Sequence, residues 1–264
     1  MYISQSVGRN GVNQQSDVRT VQALINFNIP RLHSLNRLEA DGRIGPATAA
    51  AIAQFQKNVQ GLPNPSARVE PDSETFGELR KAVPPQFWEA VLAALMPDAT
   101  AVAVSHYFRP LCEGMDANGI HTPLRKAHFL SQLGHESCDL RYCEELADGA
   151  AYEGRTDLGN THPGDGPKFK GRGLIQITGR FNYSAFGRHK ERDFLTTANY
   201  ELLAKDPSLA VDVSCWFWTK HGLNALADAD DVRAVTKVIN GGYNGFADRE
   251  ARLLRAKCFL TLPA

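Results

Sequence analysis

Apolar residues recur every three or four positions through most of the chain, and runs that alternate apolar with polar residues are few. This spacing is typical of helices with one buried face. Before residue 84 it predicts three short helices. Their apolar faces are Val18, Val21, Leu24 and Ile25; Ile44, Thr48, Ile52, Phe55 and Val59; and Phe76, Leu79 and Val83. Asp17 and Ser73 are expected to cap the first and third helices by accepting backbone N–H groups.

The character of the chain changes between Gly61 and Pro85, where proline, serine and charged residues are concentrated. Proline blocks the continuation of a helix, so the Pro84-Pro85 pair predicts a boundary between domains at residues 1–83 and 84–264. Helical spacing returns after this boundary, and Thr122 with Pro123 supplies a cap and a first-turn proline. We therefore predict a mainly α protein, with a small three-helix domain followed by a larger α-helical domain.

Composition and charge narrow the function classes. The 264 residues include 29 Lys plus Arg and 29 Asp plus Glu, so the formal charge is zero. This balance argues against binding to nucleic acid or anionic lipid through bulk charge. The longest apolar run, Ala90 to Met96, is about a third of the length that a membrane-spanning helix needs. The first residues lack the pattern of a secretory signal, which predicts a protein kept in the cytoplasm.

The cysteines and histidines do not form a pattern of metal ligands. Five cysteines at irregular spacing favour reduced thiols over a disulfide framework. They are Cys112, Cys138, Cys143, Cys215 and Cys258. His135 with Cys138 and Cys143, completed by His121 or His128, matches no standard zinc spacing. Neither a nucleotide-binding glycine loop nor the context of a serine or cysteine nucleophile is present. We predict an enzyme with neither metal nor cofactor.

A specific turn precedes the second predicted helix. Asp41–Thr48 reads Asp-Gly-Arg-Ile-Gly-Pro-Ala-Thr, and Val69–Phe76 is a shorter echo of it. This turn and the later Phe55-Gln56 pair resemble the three-helix peptidoglycan-binding module of bacterial and phage cell-wall hydrolases. The resemblance covers residues 5–83 and implies a shallow peptidoglycan-binding groove beside Asp41–Thr48. A generic helical oligomerisation domain is the alternative.

Three glutamates are candidates for acid–base chemistry. Glu136 ends an apolar helix, and poor solvation suits a carboxyl group to the role of general acid. In an unbroken helix Glu145 would lie about 13 Å along the axis from Glu136, too far for both to act on one glycosidic bond. We therefore expect the helix to break near Ser137–Asp139, so that Glu136 faces Glu144 or Glu145 across a cleft. Room for a water molecule between them implies inversion of configuration.

A glycine-rich stretch from Tyr152 to Tyr183 follows these glutamates. Glycines allow close approach of the backbone, and Gln176, Thr178 and Asn182 offer neutral donors and acceptors for sugar hydroxyl and acetamide groups. We also count Tyr152 among the candidate substrate-binding residues. Further on, the consecutive aromatic residues 216–218 cannot all face one side of a helix. At least one is expected in the core, and an exposed one is a candidate sugar-stacking surface.

Four motifs in this order resemble glycoside hydrolase family 19, the chitinase family, which also contains many phage and prophage endolysins with a lysozyme-like fold. They are Gly134–Ser137, Glu145, Gly171–Thr178 and Val238–Gly242. The resemblance spans about residues 90–260. Cys138-Asp139 departs from it, because the family has a glycine pair there, and only the alignment prefers Glu145 to Glu144.

The resemblance also implies roles for individual residues. Glu136 would be the general acid, Glu145 the base that activates water, and Thr178 would help to hold that water. Gln176, Asn182 and Asn240 would bind N-acetylated sugars. Arg249 matches a family arginine that supports the second carboxylate through charge-assisted hydrogen bonds, and we count it with the substrate-binding residues.

These observations predict a two-domain, monomeric endolysin that hydrolyses the β-1,4 glycan linkage of peptidoglycan. Its small domain would anchor it on the wall, and a separate membrane-permeabilising protein would release it from the cytoplasm at lysis. A chitinase acting on N-acetylglucosamine polymers is one alternative, against which the binding module argues. A non-catalytic wall-binding protein is another, against which the presence of both Glu136 and Glu145 argues.

Overall fold

The computed structural model describes residues 2–32 and 35–261. Within these ranges the chain is mainly α-helical, as the apolar spacing predicts. The helices are α1 (Gln15–Asn28), α2 (Pro46–Asn58), α3 (Glu74–Arg80), α4 (Glu89–Leu95), α5 (Ala101–Ala117), α6 (Pro123–Glu136), α7 (Asp165–Lys168), α8 (Arg180–Lys190), α9 (Thr197–Tyr200), α10 (Leu202–Lys205), α11 (Pro207–Lys220), α12 (Leu223–Asp228), α13 (Val232–Asn240) and α14 (Phe246–Leu260). Short 3-10 helices span Ile29–Arg31, Ala150–Tyr152 and Thr156–Leu158.

The helices form two compact units. Unit 1 comprises Met1–Asp98 with Glu250–Ala264, and unit 2 comprises Ala99–Arg249. Helix α14 is divided between them. The functional division into residues 1–83 and 84–264 stays a prediction, and its outer ends, at residues 1 and 262–264, lie outside the described residues.

Unit 1 contains the three helices predicted before residue 84, α1 to α3, and a two-stranded antiparallel pair of β1 (Val7–Gly8) and β2 (Arg68–Val69). Ser73 caps α3 as predicted, because its hydroxyl accepts the backbone N–H of Phe76. The prediction for Asp17 is wrong. Helix α1 begins earlier, and the buried Asp17 carboxylate instead accepts the backbone N–H groups of Ser4 and Gln5.

The Asp41–Thr48 turn is held by one buried side chain, Gln22 of α1. Its Nε2 donates to Asp41 Oδ1 at 2.9 Å, to Arg43 O at 3.1 Å and to Thr48 Oγ1 at 3.2 Å, and its Oε1 accepts Gly42 N at 2.9 Å. Hydrogen bonds from Arg43 N and from Gln22 lower the pKa of Asp41. The turn is therefore fixed to α1 through a fully used amide.

The sequence echo at Val69–Phe76 has a structural counterpart. Gln56 of α2 is buried, and it binds Arg68 O and Ala67 N at 2.9 Å, as Gln22 binds its own turn. Its Nε2 also lies 3.5 Å from Thr75 Oγ1, as Gln22 lies near Thr48. The two glutamines thus organise two similar loops within unit 1.

The last residues of α14 complete unit 1. Phe259 packs against Phe27 of α1, with ring centroids 5.8 Å apart. The guanidinium of Arg80 donates to Cys258 O at 3.1 Å and to Thr261 O at 2.9 Å. Cys258 and Phe259 are almost fully buried. Residues far apart in the chain therefore share one small core.

The core of unit 2 is built from α5, α6, α11 and α12, with α5 along α11 and α12 against α6. Thr122 caps α6 as predicted, because its hydroxyl accepts Arg125 N at 3.2 Å. Trp218 of α11 meets Phe129 of α6 edge to face at 5.3 Å and is fully buried. Trp216 is also buried, which confirms that part of the aromatic run lies in the core.

Two further properties of the described residues matter for the predictions above. Among them, the helices are all too short or too polar to cross a bilayer. The five cysteines are unpaired; Cys215 and Cys258 are buried, and Cys138 is exposed. Burial raises the pKa of the Cys143 thiol to about 11.

Candidate functional site

The first predicted catalytic carboxylate stands where α6 ends. The helix stops at Glu136, and Cys138, Asp139 and Leu140 all adopt left-handed conformations with φ of 48°, 61° and 63°. Ser137 stabilises the turn, since its hydroxyl donates to Leu133 O and accepts Leu140 N. The break predicted at this place is confirmed, although residues other than glycine make it.

Two adjacent pairs of side chains connect the end of α6 to the beginning of α14. His135 Nδ1 lies 2.7 Å from Asp248 Oδ2, and Arg249 Nη2 lies 2.5 Å from Glu136 Oε1. Gly245, with φ of +69°, lies so close to the His135 ring that any side chain there would collide with it. The carboxylate of Glu136 is thus fixed from one side, with its side chain 17% exposed.

The position of Arg249 corrects one expectation. The resemblance assigns this arginine to the second carboxylate, but its fully buried guanidinium binds Glu136 and Gln132 Oε1, the latter at 2.6 Å. The reason is geometric: Gln132 lies one helical turn before Glu136 on α6, so a planar guanidinium reaches both. Arg249 supports the first carboxylate.

Glu145 lies on a loop that is paired with the Gly171–Thr178 segment. Its backbone N–H donates to Gly171 O at 2.9 Å, and Gly173 N donates to Cys143 O at 3.0 Å. Its carboxylate accepts the Tyr152 hydroxyl on Oε1 at 3.0 Å and Gly171 N on Oε2 at 3.1 Å. A Cβ atom on Gly171 would lie 2.8 Å from Gln176 Oε1 and 3.4 Å from Glu145 Oε2, so the bare glycine gives these side chains their space.

The neighbouring Glu144 has different partners. Its Oε1 forms an ion pair with the buried Arg172, whose Nε and Nη2 lie 3.0 and 2.7 Å away. Arg172 also donates to Lys168 O and to the Tyr183 hydroxyl. Glu144 therefore neutralises a buried cation, whereas Glu145 has no arginine within ion-pair distance among the described residues.

Tyr152 is a partner of this second carboxylate. Burial and the hydrogen bond to Glu145 raise the pKa of its phenol, so that the hydroxyl stays a donor. The prediction that Tyr152 binds substrate stays a prediction. In the structure its hydroxyl donates to Glu145.

The remaining predicted residues are in two places. Gln176, Thr178 and Asn182 belong to the segment around Gly171–Thr178, and Asn240 is on α13. Gln176 adopts φ of +59° and donates to Gly173 O at 2.8 Å, Thr178 Oγ1 donates to Gln176 O at 3.1 Å, and Asn182 Nδ2 donates to Thr178 O at 3.0 Å. Asn240 is exposed at the end of α13, where its Oδ1 accepts Asn244 N. Their roles in holding sugar or water stay predictions.

The glycine-rich stretch is ordered by polar side chains, of which Asp165 and Asn160 are buried. Asp165 is fully buried and accepts Arg180 Nη2 at 2.6 Å, and this pairing lowers the pKa of Asp165 to about 2. Glu153 accepts the backbone N–H groups of Gly164 and Gly166. Asn160 links Tyr152 O to Arg180 N. The loop that carries Tyr152 is thus fixed to the start of α8.

Sequence reasoning missed several residues of the site. Gln132 could have been found, because it lies four residues before Glu136 on the same face of α6. Arg172 and Asp248 gave no such signal, since their partners are distant in the chain. Within the described residues, no three His, Cys, Asp or Glu side chains are grouped so that they could hold a metal ion. His128 instead pairs with Asp230.

Comparison with known proteins places this arrangement in a family. The glycoside hydrolase family 19 sequence model, described as chitinase class I, matches residues 128–252. A glycosyl hydrolase family 19 domain-containing protein of Haemophilus influenzae is 31% identical over 185 residues, which are 58% of this chain and 88% of that protein. An endochitinase of Arabidopsis thaliana is 35% identical over 117 residues, but this chain spans only 39% of its length.

A solved structure supports the fold. Chitinase C of Streptomyces griseus aligns over 66% of this chain and 92% of its own, with a TM-score of 0.55 and 23% sequence identity. The fold of the helical domain is therefore the lysozyme-like fold of these enzymes, as the sequence predicts. Because the Haemophilus protein is covered almost throughout and the family model includes both Glu136 and Glu145, the chain belongs to glycoside hydrolase family 19.

Proposed function

We propose that this glycoside hydrolase is an endolysin that cleaves the β-1,4 glycan linkage of bacterial peptidoglycan with inversion of configuration. The observation that carries this proposal is the occurrence, in one chain, of the family 19 carboxylates and of the helical module with the Asp41–Thr48 turn. A module that resembles wall-binding domains favours a wall polymer over free chitin. We assign Asp41–Thr48 to the wall-binding groove of that module.

The site geometry supports a division of labour between the carboxylates. Glu136 is the general acid, which donates its proton to the leaving glycosidic oxygen. Glu145 is the base that takes a proton from the attacking water. Its two oxygens already accept hydrogen bonds from Tyr152 and Gly171, which hold the carboxylate in one orientation. We assign Glu144 a structural role instead, because its charge is paired with the buried Arg172.

Neutral polar side chains of unit 2 suit a sugar polymer. We assign Thr178 to the nucleophilic water and Gln176, Asn182 and Asn240 to the N-acetyl and hydroxyl groups of the glycan. These side chains are hydrogen-bonded to backbone carbonyl or N–H groups nearby, which limits their motion before substrate arrives. The charge neutrality of the whole chain is compatible with such a substrate, because hydroxyl and acetamide groups are uncharged.

To test the substrate, purified peptidoglycan and chitin oligomers are digested in parallel, the products are identified by mass spectrometry, and the anomeric configuration of fresh products is read by proton NMR. Cleavage of glycan in peptidoglycan, with the newly formed reducing ends in the α configuration, is the expected result. Release of peptides with intact glycan strands would overturn the proposal. Cleavage of chitin alone would make the second candidate, a chitinase, the better function; the endochitinase relatives favour that candidate.

We expect Glu136→Gln and Glu145→Gln each to lower kcat about 10²- to 10⁴-fold, because each removes one proton-transfer group. Glu144→Gln is the matched control. It breaks an ion pair on the adjacent residue and is expected to affect stability more than kcat. The rates are measured on a soluble oligomer, with circular dichroism to confirm folding. A Glu144→Gln variant that loses as much activity as Glu145→Gln would reverse the assignment of the base.

We further propose that the protein acts as a monomer and is stored in the cytoplasm of the host until lysis. Sedimentation of the purified protein tests the first statement. For the second, the gene is expressed in bacteria with and without a membrane-permeabilising protein. Lysis only when both are present supports storage, and lysis by this protein alone contradicts it.

A further inference from the structure

An open cavity of about 560 Å³ adjoins Glu145. Residues of the loop after α6, from Arg141 to Leu146, form part of its wall. Both carboxylates of the Glu144-Glu145 pair line it, together with the cations Arg141, Lys170 and Lys205. Leu146, 79% exposed, forms an apolar part of its wall. The cavity lies within unit 2 and is large enough for a substituent of a bound sugar.

Most charged side chains around this cavity have a hydrogen-bond or ion-pair partner, but Arg141 has none among the described residues. Glu144 is paired with Arg172, and Lys205 with Glu201 at 2.6 Å. The ammonium of Lys170 donates to Glu145 O and Ala147 O. The guanidinium of Arg141 makes neither a hydrogen bond nor an ion pair with any described residue. It is exposed and its Cζ lies 5.5 Å from the centre of the Tyr142 ring.

From this arrangement we propose that Arg141 forms a subsite for a carboxylate carried by the glycan, next to the bond that is cleaved by the water that Glu145 activates. Arginine binds carboxylates through two parallel N–H groups, and stacking on Tyr142 limits the orientations of the guanidinium. A neutral N-acetylglucosamine polymer has no group for this site. Peptidoglycan has carboxylates on the lactyl ether of its muramic acid, where the peptide is absent, and on its stem peptides. The inference rests on the proposed function and would make Arg141 a determinant of its specificity.

The test compares the full-length chain with its Arg141→Gln variant on four substrates: intact peptidoglycan, glycan strands freed of stem peptides, chitin, and carboxymethyl chitin. On carboxylate-bearing substrates the variant is expected to lose about five- to tenfold in kcat/KM, as for one exposed charge-assisted contact. On chitin the loss is expected to be smaller than twofold. A loss confined to intact peptidoglycan would identify the stem peptide, and one on freed strands the lactyl group, as the source of the carboxylate.

Arg109→Gln is the matched control, because Arg109 is exposed on α5, is paired with Glu113, and does not line the cavity. It is expected to leave all four rates unchanged. Equal losses of the Arg141 variant on neutral and carboxylate-bearing substrates, or no loss on any, would overturn the inference. If peptidoglycan is not cleaved at all, the proposed function fails, and the ratio between carboxymethyl chitin and chitin still decides whether Arg141 binds a carboxylate.

Discussion

At the scale of single residues, the contacts of each glutamate are the basis for proposing a catalytic or a structural role for it. Glu144 and Glu145 are adjacent and chemically identical, but one faces a buried arginine and the other a phenol and a backbone N–H group. Glu136 is held by Arg249, which also binds Gln132. The assignment of roles therefore depends on what each carboxylate contacts, which adjacent positions in a sequence do not reveal.

Arg249 provides a test of this view. Arg249→Lys keeps the charge but cannot bond both Gln132 and Glu136, because an ammonium lacks the planar fork of a guanidinium. We expect a loss of about 1–3 kcal/mol in the free energy of unfolding, since a buried acceptor loses its donor. We also expect at least tenfold lower kcat, because Glu136 loses its fixed orientation.

Thermal unfolding and rates on a soluble oligomer measure the two effects. Arg109→Lys, in an exposed pair with Glu113, is the control and should change neither. An Arg249→Lys variant with the stability and kcat of the wild type would show that the guanidinium is not needed to position Glu136.

At the scale of elements, the end of α6 is a strained turn. Three consecutive residues other than glycine, Cys138 to Leu140, have positive φ. A left-handed conformation costs a residue with a Cβ atom about 1–2 kcal/mol relative to the right-handed one. The turn redirects the chain directly after Glu136 and leads to Glu145.

Cys138→Gly is accordingly expected to stabilise the protein by up to about 1 kcal/mol, because glycine adopts positive φ without this cost. Differential scanning calorimetry should show a rise in Tm of about 2–4 °C. Cys138→Ala removes the same thiol but keeps the Cβ atom, so its Tm should stay near that of the wild type. A Tm that rises equally in both variants would attribute the gain to loss of the thiol.

The stability that the loop between Tyr152 and α8 gives to the fold is expected to depend on pH, because Asp165 titrates in it. Because Arg180 lowers the pKa of Asp165 from 3.8 to about 2, the folded state binds its proton less readily than the unfolded state. The stabilisation is complete above pH 3.8 and disappears as pH falls towards 2. We expect Asp165→Asn to be less stable than the wild type at neutral pH, with the difference narrowing across this window.

Urea unfolding at several pH values measures this difference. Asp157→Asn is the comparison, because Asp157 pairs with Arg155 on the surface, where solvent screens the charges. It should show a much smaller change of stability with pH. A constant difference between Asp165→Asn and the wild type from pH 5 to about 2 would contradict the role of the Asp165 charge.

At the scale of the whole molecule, the proposed function requires that one part of the chain binds the wall and another cleaves it. Gln22 fixes the Asp41–Thr48 turn, and Gln56 fixes the loop that echoes it. Because their hydrogen bonds match, variants of the two glutamines form a paired test of the proposal that the Asp41–Thr48 turn binds the wall. Deleting residues 1–83 is a poorer test, because it would expose Phe259 and Cys258, which are packed within unit 1.

Gln22→Leu is expected to weaken sedimentation of the protein with purified cell walls about tenfold, because the turn loses four hydrogen bonds from one side chain. Cleavage of soluble oligomers should be unchanged. Gln56→Leu should lower stability by a comparable amount and leave wall binding less affected. Equal loss of wall binding in both variants would indicate general damage to unit 1 and remove the support for a groove beside Asp41–Thr48.

Local patterns in the sequence predict the helical class, the three helices before residue 84, the capping by Ser73 and Thr122, the break after Glu136 and the family. These features depend on local spacing, on turn chemistry, or on motifs that are contiguous in the chain. The sequence did not predict α5, which contains Pro110, or the use of Asp17, because packing against distant segments overrides such local signals.

Which carboxylate each arginine supports follows from the packing of the folded chain and not from the sequence. The pairs Glu136–Arg249 and Glu144–Arg172 join residues that are remote in sequence, and their distances follow from how the helices and loops pack. The same is true of the last turns of α14, which complete the core of unit 1. The spacing of apolar residues predicts which face of a helix is buried, but it does not predict which other element packs against that face.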